Sequence, residues 1–173
     1  MVSRSDFVQE TIRGSDEWQA VTAVADRLID HLETPEMTAL VASANQPGTS
    51  SAMVQAAFLR EATDLGFADE SKGLFAGYTS ALRPDYYLKL GDSGIILEVE
   101  RGKTTINNMD LLDFWKCHIC EHAHYLFLMV PVELRQNPTM RPRREFATVE
   151  RRLETFFRPH NYTNVRGLVL VGY

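Results

Sequence analysis

Two short apolar segments on either side of a glycine-rich turn constrain the fold of this chain more than any other feature. The first covers residues 85–90, the turn is Gly91-Asp92-Ser93-Gly94, and the second covers residues 94–101. Alternating segments of this length that are joined by such a turn are typical of a β-hairpin. We therefore predict that the two segments form neighbouring antiparallel strands.

Acidic residues stand at the open end of this predicted hairpin. Pro84-Asp85 begins the first strand, and Glu98-Val99-Glu100 ends the second. Because side chains two residues apart in a strand share a face, Glu98 and Glu100 should project together, and strand pairing can bring Asp85 beside them. Converging carboxylates need a positive charge among them, which a divalent metal ion supplies. The sequence thus predicts a metal site here.

The other segments indicate an α/β fold with a central mixed β-sheet flanked by helices. Residues 124–130 and 167–171 are apolar on both faces, as expected for strands that are covered on both sides. Periodicity and capping residues predict helices over 16–32, 36–44, 51–65, 105–122 and 145–157, and a short strand is expected at 73–78. The chain has neither GxGxxG nor GxxxxGK[ST], and the order of elements does not suit a doubly wound nucleotide-binding fold.

The helix after the hairpin has an apolar period that predicts its buried side. The expected inward residues are Ile106, Met109, Leu112, Trp115, Ile119 and Ala123. Core positions are also expected for Trp115, Phe127, Phe156 and Phe157.

Charge is distributed unevenly along the chain. The net charge is −5, which by itself does not indicate a nucleic-acid-binding protein, yet eight arginines from residue 135 onward are opposed by only three glutamates. A local basic patch matters more for phosphate contact than the total charge. The predicted nucleic-acid contacts are Arg101, Lys116, Arg141, Arg143, Arg144 and Arg151. A solvated helix face with Glu–Arg pairs is the alternative.

Cys117 and Cys120 are the only cysteines, so no disulfide framework is expected. With no apolar leader and no apolar run long enough to span a bilayer, we expect a cytoplasmic protein without membrane contact. Together with nearby histidines the two cysteines could form a zinc site, but no second pair completes a tetrahedron. Packing of both cysteines as small apolar groups is the expectation that we prefer.

With these motifs, residues 50–135 resemble the PD-(D/E)xK nuclease superfamily, whose fold is restriction-endonuclease-like. Pro84-Asp85 matches the Pro-Asp element, Glu98-Val99-Glu100 matches (D/E)xK, and the helix with Glu61 matches the one that precedes the family's hairpin. The helix with Lys116 and the strand after it match the next pair of elements. The chain departs from the family at Glu100, where a lysine is usual.

The resemblance implies a metal-dependent DNA endonuclease that uses Mg²⁺ or Mn²⁺. Asp85, Glu98 and the Val99 carbonyl would hold the metal, and Glu100 would hold a second ion or take a proton from water. Glu61 would act through water, and Lys103 is a candidate for the missing lysine. Restriction, phage defence, mobile-element processing and branched-DNA resolution are compatible roles.

The resemblance also implies one domain over residues 1–173. Residues 1–46 would form an N-terminal helical extension, and residues 47–173 a nuclease-like core with an Arg-rich C-terminal helix. A homodimer is expected, since many enzymes of this superfamily cut both strands as dimers, and a further partner protein is left open. The alternative function is a catalytically inactive nucleic-acid-binding or assembly module on the same fold, with Glu100 as a sign of lost activity.

Overall fold

A six-stranded mixed β-sheet forms the centre of the computed structural model, which describes residues 2–69 and 82–173. The order of strands in the sheet is β1-β8-β5-β4-β3-β2, and β6 and β7 form a separate two-stranded sheet. The strands are β1 (Ser3–Val8), β2 (Ala68–Asp69), β3 (Tyr86–Leu90), β4 (Ser93–Val99), β5 (Tyr125–Val130), β6 (Glu133–Leu134), β7 (Arg143–Arg144) and β8 (Gly167–Gly172).

Helices cover both faces of the sheet. They are α1 (Asp16–Leu32), α2 (Pro35–Ala44), α3 (Ser51–Asp64), α4 (Met109–Ile119) and α5 (Glu145–Glu154), and a 3-10 turn, Thr155–Phe157, follows α5. The buried side chains of α1, α2 and α3 pack on one face, and those of α4 and α5 pack on the other. The prediction of an α/β fold with a mixed sheet between helices is confirmed. None of the described helices is long and apolar enough to cross a membrane.

The predicted hairpin is formed by β3 and β4. Tyr86 lies opposite Leu97, and Leu90 lies opposite Ser93 across a turn in which Gly91 has a φ of +58°. This left-handed conformation is one that glycine adopts without the steric cost of a Cβ atom. From β4 the chain crosses through α4 to β5, which pairs with β4 in parallel, so α4 lies against the sheet beside the hairpin.

Alternation along β4 divides its side chains between the two cores. Ile95, Leu97 and Val99 pack toward α1–α3, whereas Ile96 packs toward α4 and α5. Glu98 lies two residues after Ile96, on the same face of β4, and therefore faces α4. This orientation decides which helix can supply partners to the carboxylate of Glu98.

The buried side predicted for the helix after the hairpin is wrong, although Ala123, just beyond the helix, is buried as expected. Ile106, Leu112, Trp115 and Ile119 are exposed, and the inward residues of α4 are Asp110, Asp113, Phe114 and Cys117. The apolar period was misleading because two aspartates on the opposite side are buried against basic partners. Trp115 is therefore no core residue, whereas Phe127 is fully buried and Phe156 and Phe157 pack on Phe114.

The N-terminal segment also differs from the expected helical extension. Its first element is β1, which pairs antiparallel with β8 at the edge of the central sheet, and α1 and α2 pack on the same core as α3. The polar sequence of β1 carries little apolar alternation, so its strand character comes from pairing with β8. The expected strand at 73–78 lies outside the described residues.

Candidate metal centre

The open end of the hairpin brings Asp85 and Glu98 together. The backbone N–H of Asp85 donates to Oε2 of Glu98 at 3.3 Å, and the backbone N–H of Val99 donates to Oδ2 of Asp85 at 2.8 Å. These contacts follow from the strand register. Tyr86 lies opposite Leu97 in an antiparallel pair, so Asp85, which precedes Tyr86, lies beside Glu98, which follows Leu97. Two acids thus lie side by side where the strands separate.

Helix α3 contributes a third group through Gln55. Nε2 of Gln55 lies 2.8 Å from Oδ2 of Asp85 and 3.5 Å from the carbonyl oxygen of Val99. The backbone carbonyl of Gln55 accepts a hydrogen bond from the hydroxyl of Tyr86 at 2.8 Å, which links α3 to the hairpin. The side-chain nitrogen of Gln55 therefore contacts two of the oxygen atoms that are predicted to bind a metal, one from Asp85 and one from Val99.

Helix α4 contributes Asp113 and Lys116 from the other side. Nζ of Lys116 is 3.0 Å from Oε1 of Glu98 and 2.9 Å from Oδ1 of Asp113. The carboxylates of Glu98 and Asp113 are almost fully buried, at 2% and 0% exposure. One ammonium group thus bridges two buried carboxylates that come from different elements.

Burial makes ionisation of this acidic cluster costly. Desolvation, followed by the charge of Asp113, raises the pKa of Glu98 well above its ordinary value. For the same two reasons, in the same order, the pKa of Glu100 rises to about 8. Desolvation also raises the pKa of Asp113 to about 6, although Lys116 opposes the shift. Burial alone would lower the pKa of Lys116, but Glu98 and Asp113 raise it above its ordinary value.

The oxygen atoms at this end of the hairpin are of the kind that a hard divalent cation takes as ligands. Among the described residues, no group of three or more His, Cys, Asp or Glu side chains is placed to hold a metal ion. The candidate ligands are therefore two carboxylates, Asp85 and Glu98, together with the carbonyl of Val99. Carboxylate and carbonyl oxygens are what Mg²⁺ and Mn²⁺ prefer.

Two predicted catalytic residues lie elsewhere. Oε2 of Glu61 is 3.1 Å from Nδ1 of His31, in a cleft that Thr34 and Arg60 also line. Glu61 is six residues beyond Gln55, about 9 Å along α3, so Gln55 is the residue of this helix that contacts Asp85. Lys103 is exposed in the loop after β4.

The predicted nucleic-acid contacts fall into two groups. The buried guanidinium of Arg101 donates to Oδ1 of Asn45 and to the carbonyls of Gln46 and Thr49, so it holds the loop between α2 and α3. Arg141, Arg144 and Arg151 are exposed. Arg143 is half-buried, and its Nη2 lies 3.1 Å from Glu145.

Sequence reasoning missed Gln55, Asp110 and Asp113, and it assigned Lys116 only to DNA. Asp110 pairs with Arg152 at 3.1 Å and joins α4 to α5. The signal for Asp113 and Lys116 was present, because residues three apart share a helix face and α4 directly follows the Glu-x-Glu strand. No local signal distinguishes Gln55, since its contact depends on how α3 packs.

The two cysteines pack in the core as small apolar side chains. Both are free and buried among the residues between the sheet and α4. Burial raises the pKa of the Cys117 thiol, which disfavours the thiolate that zinc needs. His118 contacts Trp115, Thr163 and Asn164.

Comparison with solved structures finds a distant likeness in fold. No family model matches the chain, and no curated protein matches it. Among solved structures, the crystal structure of restriction endonuclease BGLII complexed with a DNA 16-mer matches with a TM-score of 0.46 and 9% sequence identity. The alignment covers 99% of this chain and 77% of that one. At this identity and score, what the site can do has to follow from its own geometry.

Proposed function

We propose that this protein is a metal-dependent DNA endonuclease that hydrolyses phosphodiester bonds at the acidic end of the β3–β4 hairpin. The observation that carries the proposal is the convergence of Asp85, Glu98 and the Val99 carbonyl, with Lys116 and Asp113 beside them. Burial of several carboxylates costs folding free energy, and acids with such strongly shifted pKa values cluster at functional sites.

Each of these residues would have a separate role in phosphodiester hydrolysis. Asp85, Glu98 and the Val99 carbonyl would hold Mg²⁺ or Mn²⁺, which supplies charge for the phosphate and acidifies a water molecule. Gln55 orients Asp85 through its amide. Glu100, with its pKa raised to about 8, is suited to accept a proton from water at mildly alkaline pH, where its carboxylate is ionised.

The reaction balances without a further reagent. A water oxygen forms a bond to phosphorus while one P–O ester bond breaks. The proton of the attacking water passes to Glu100, and the departing oxygen takes a proton from solvent. Positive charge near the phosphate offsets the charge that develops on its oxygens.

The proposal includes contact with DNA and a homodimer. The exposed Arg141, Arg144 and Arg151 would contact phosphates, and two copies of a single site would cut two strands. Sedimentation velocity measures the oligomeric state directly. Without DNA we expect a species with twice the mass of one chain, and with DNA a species of that mass plus the mass of the duplex. One chain bound to one duplex would contradict the dimer.

Cleavage tests the proposed activity. Supercoiled plasmid and a branched duplex are incubated with the protein and Mg²⁺ or Mn²⁺, alongside Asp85→Asn and Glu98→Gln, which keep the shape of the buried side chains. We expect nicking by the wild type and a loss of about 100-fold or more in each variant, because a metal ligand is removed. Asp92→Asn, at the opposite end of the same hairpin, is the matched control and should cut like the wild type.

Metal binding separates the two functions that the sequence left open. Titration calorimetry with Mn²⁺ should show binding to the wild type and none to Asp85→Asn. A protein that binds DNA equally well with Mn²⁺ and with EDTA, and that cuts neither substrate, would instead be a non-catalytic DNA-binding module.

A further inference from the structure

We propose that Lys116 is a catalytic residue whose amino group, presented from α4, contacts the scissile phosphate beside Glu98. The inference rests on the proposed nuclease function and assigns a residue within the same site. Lys116 would offset the negative charge of that phosphate.

The position of Lys116 follows from the crossover between β4 and β5. Glu98 faces α4 because it shares the parity of Ile96, and α4 presents Asp113 and Lys116 one turn apart on the side that meets it. The ammonium lies 3.0 Å from Oε1 of Glu98, so it reaches the centre from the helix.

Asp113 fixes the direction of the lysine. Its Oδ1 is 2.9 Å from Nζ, and its side chain has no exposed surface. Lys116 itself keeps 26% of its side-chain surface exposed, so the ammonium borders the open side of the cluster.

The two cations that follow β4 are placed differently. Arg101 directs its guanidinium to the loop between α2 and α3. Lys103 is exposed three residues beyond Glu100. Lys116, in contrast, lies 3.0 Å from Oε1 of Glu98, a predicted metal ligand.

Removal of the amino group tests the proposal. Lys116→Met keeps the length of the side chain and most of its volume but loses the charge. Cleavage should fall by about 100- to 1000-fold, the usual effect of deleting one stabiliser of transition-state charge. Mn²⁺ affinity, measured by calorimetry, should stay equal or rise several-fold, because a positive charge beside Glu98 is gone.

The conservative variant supplies a readout that a structural role would not move. Lys116→Arg keeps a positive charge between Glu98 and Asp113. With both variants folded, we expect it to cut at least 10-fold faster than Lys116→Met. Glu133→Lys in the Lys116→Met background adds a positive charge at an exposed position and should recover nothing.

Each outcome has a distinct meaning. Lys116→Met that cuts within threefold of the wild type would overturn the proposal. Loss of the thermal unfolding transition in both Lys116→Met and Lys116→Gln would make Lys116 structural and also overturn the proposal. A wild-type protein that binds no Mn²⁺ and cuts no DNA would instead contradict the proposed function itself.

Discussion

The acids at the end of the hairpin differ in their partners, and this difference sets their chemistry. Glu98 is fully buried and paired with Lys116, whereas Asp85 accepts from a backbone amide and from Gln55. Glu100 is only partly buried, yet it interacts with the charges of Asp113 and Asp85. The chemistry of each carboxylate therefore depends on which hydrogen-bond donor or charged group lies beside it.

Glu100 predicts how the stability of the metal-free protein changes with pH. The pKa of Glu100 is about 8 in the folded protein and 4.5 when unperturbed. The folded state therefore retains a proton that the unfolded chain releases between these values, so stability falls as pH rises through this window. Glu100→Gln cannot ionise, and we expect it to raise the free energy of unfolding by about 1–2 kcal/mol above pH 8.

Urea unfolding in EDTA at several pH values measures this effect. Below pH 4.5 the variant and the wild type should have equal stability, because both carry a neutral side chain at position 100. Glu133→Gln, at an exposed position, should show no such dependence. A gain that is the same at every pH, or a loss above pH 8, would contradict the assigned burial.

The orientation of α4 matters most at the scale of elements. Its inward side carries Asp110 and Asp113, and each is matched by a basic side chain, Arg152 and Lys116. The helix therefore packs an acidic side beside the hairpin and leaves Leu112, Trp115 and Ile119 exposed. A buried acid with a nearby cation costs less than an unpaired one, which makes this orientation possible.

Two neighbouring aromatics test this orientation. Phe114 is 3% exposed and stacks on Phe156, whereas Trp115 is 56% exposed. We expect Phe114→Ala to cost about 3–5 kcal/mol and Trp115→Ala less than about 1 kcal/mol. Chemical denaturation of both variants gives the comparison. A larger loss in Trp115→Ala would show that the apolar period had indicated the buried side correctly.

For the whole molecule, charge distribution matters more than total charge. The net charge is −5, while Arg141, Arg144 and Arg151 are exposed around β7 and α5. Arg152, in contrast, is engaged within the fold, where it pairs with Asp110. Only exposed basic groups can exchange counterions for DNA phosphates.

The salt dependence of DNA binding tests the role of the exposed arginines. Replacement of Arg141, Arg144 and Arg151 by alanine should lower the slope of log K against log salt by about 2–3, because each lost phosphate contact lowers it by about 0.9. Fluorescence anisotropy with a DNA duplex and Ca²⁺ measures the slope. Arg13→Ala with Arg60→Ala is the control, and a triple variant that keeps the wild-type slope would assign these arginines to the solvated surface.

The limits of sequence reasoning can be seen at particular residues. The hairpin was predictable because its turn and alternation are local signals, and the acids at its open end lie where the register brings them. Strand β1 was missed because its polar sequence has little alternation and depends on β8 for pairing. The apolar period of α4 indicated the wrong buried side, because a period cannot report ion pairs made with distant residues.

Local signals in the sequence were enough to predict the hairpin, the apolar strands β5 and β8, the helices and the order that makes the fold α/β. Three features emerge only from the packing of the folded chain: the side of α4 that meets the hairpin, the contact of Gln55 with Asp85, and the bridge that Lys116 makes between Glu98 and Asp113. The difference lies in the range of the interactions. Strand alternation and turn geometry act over a few residues, whereas a buried charge depends on partners that folding brings from other segments.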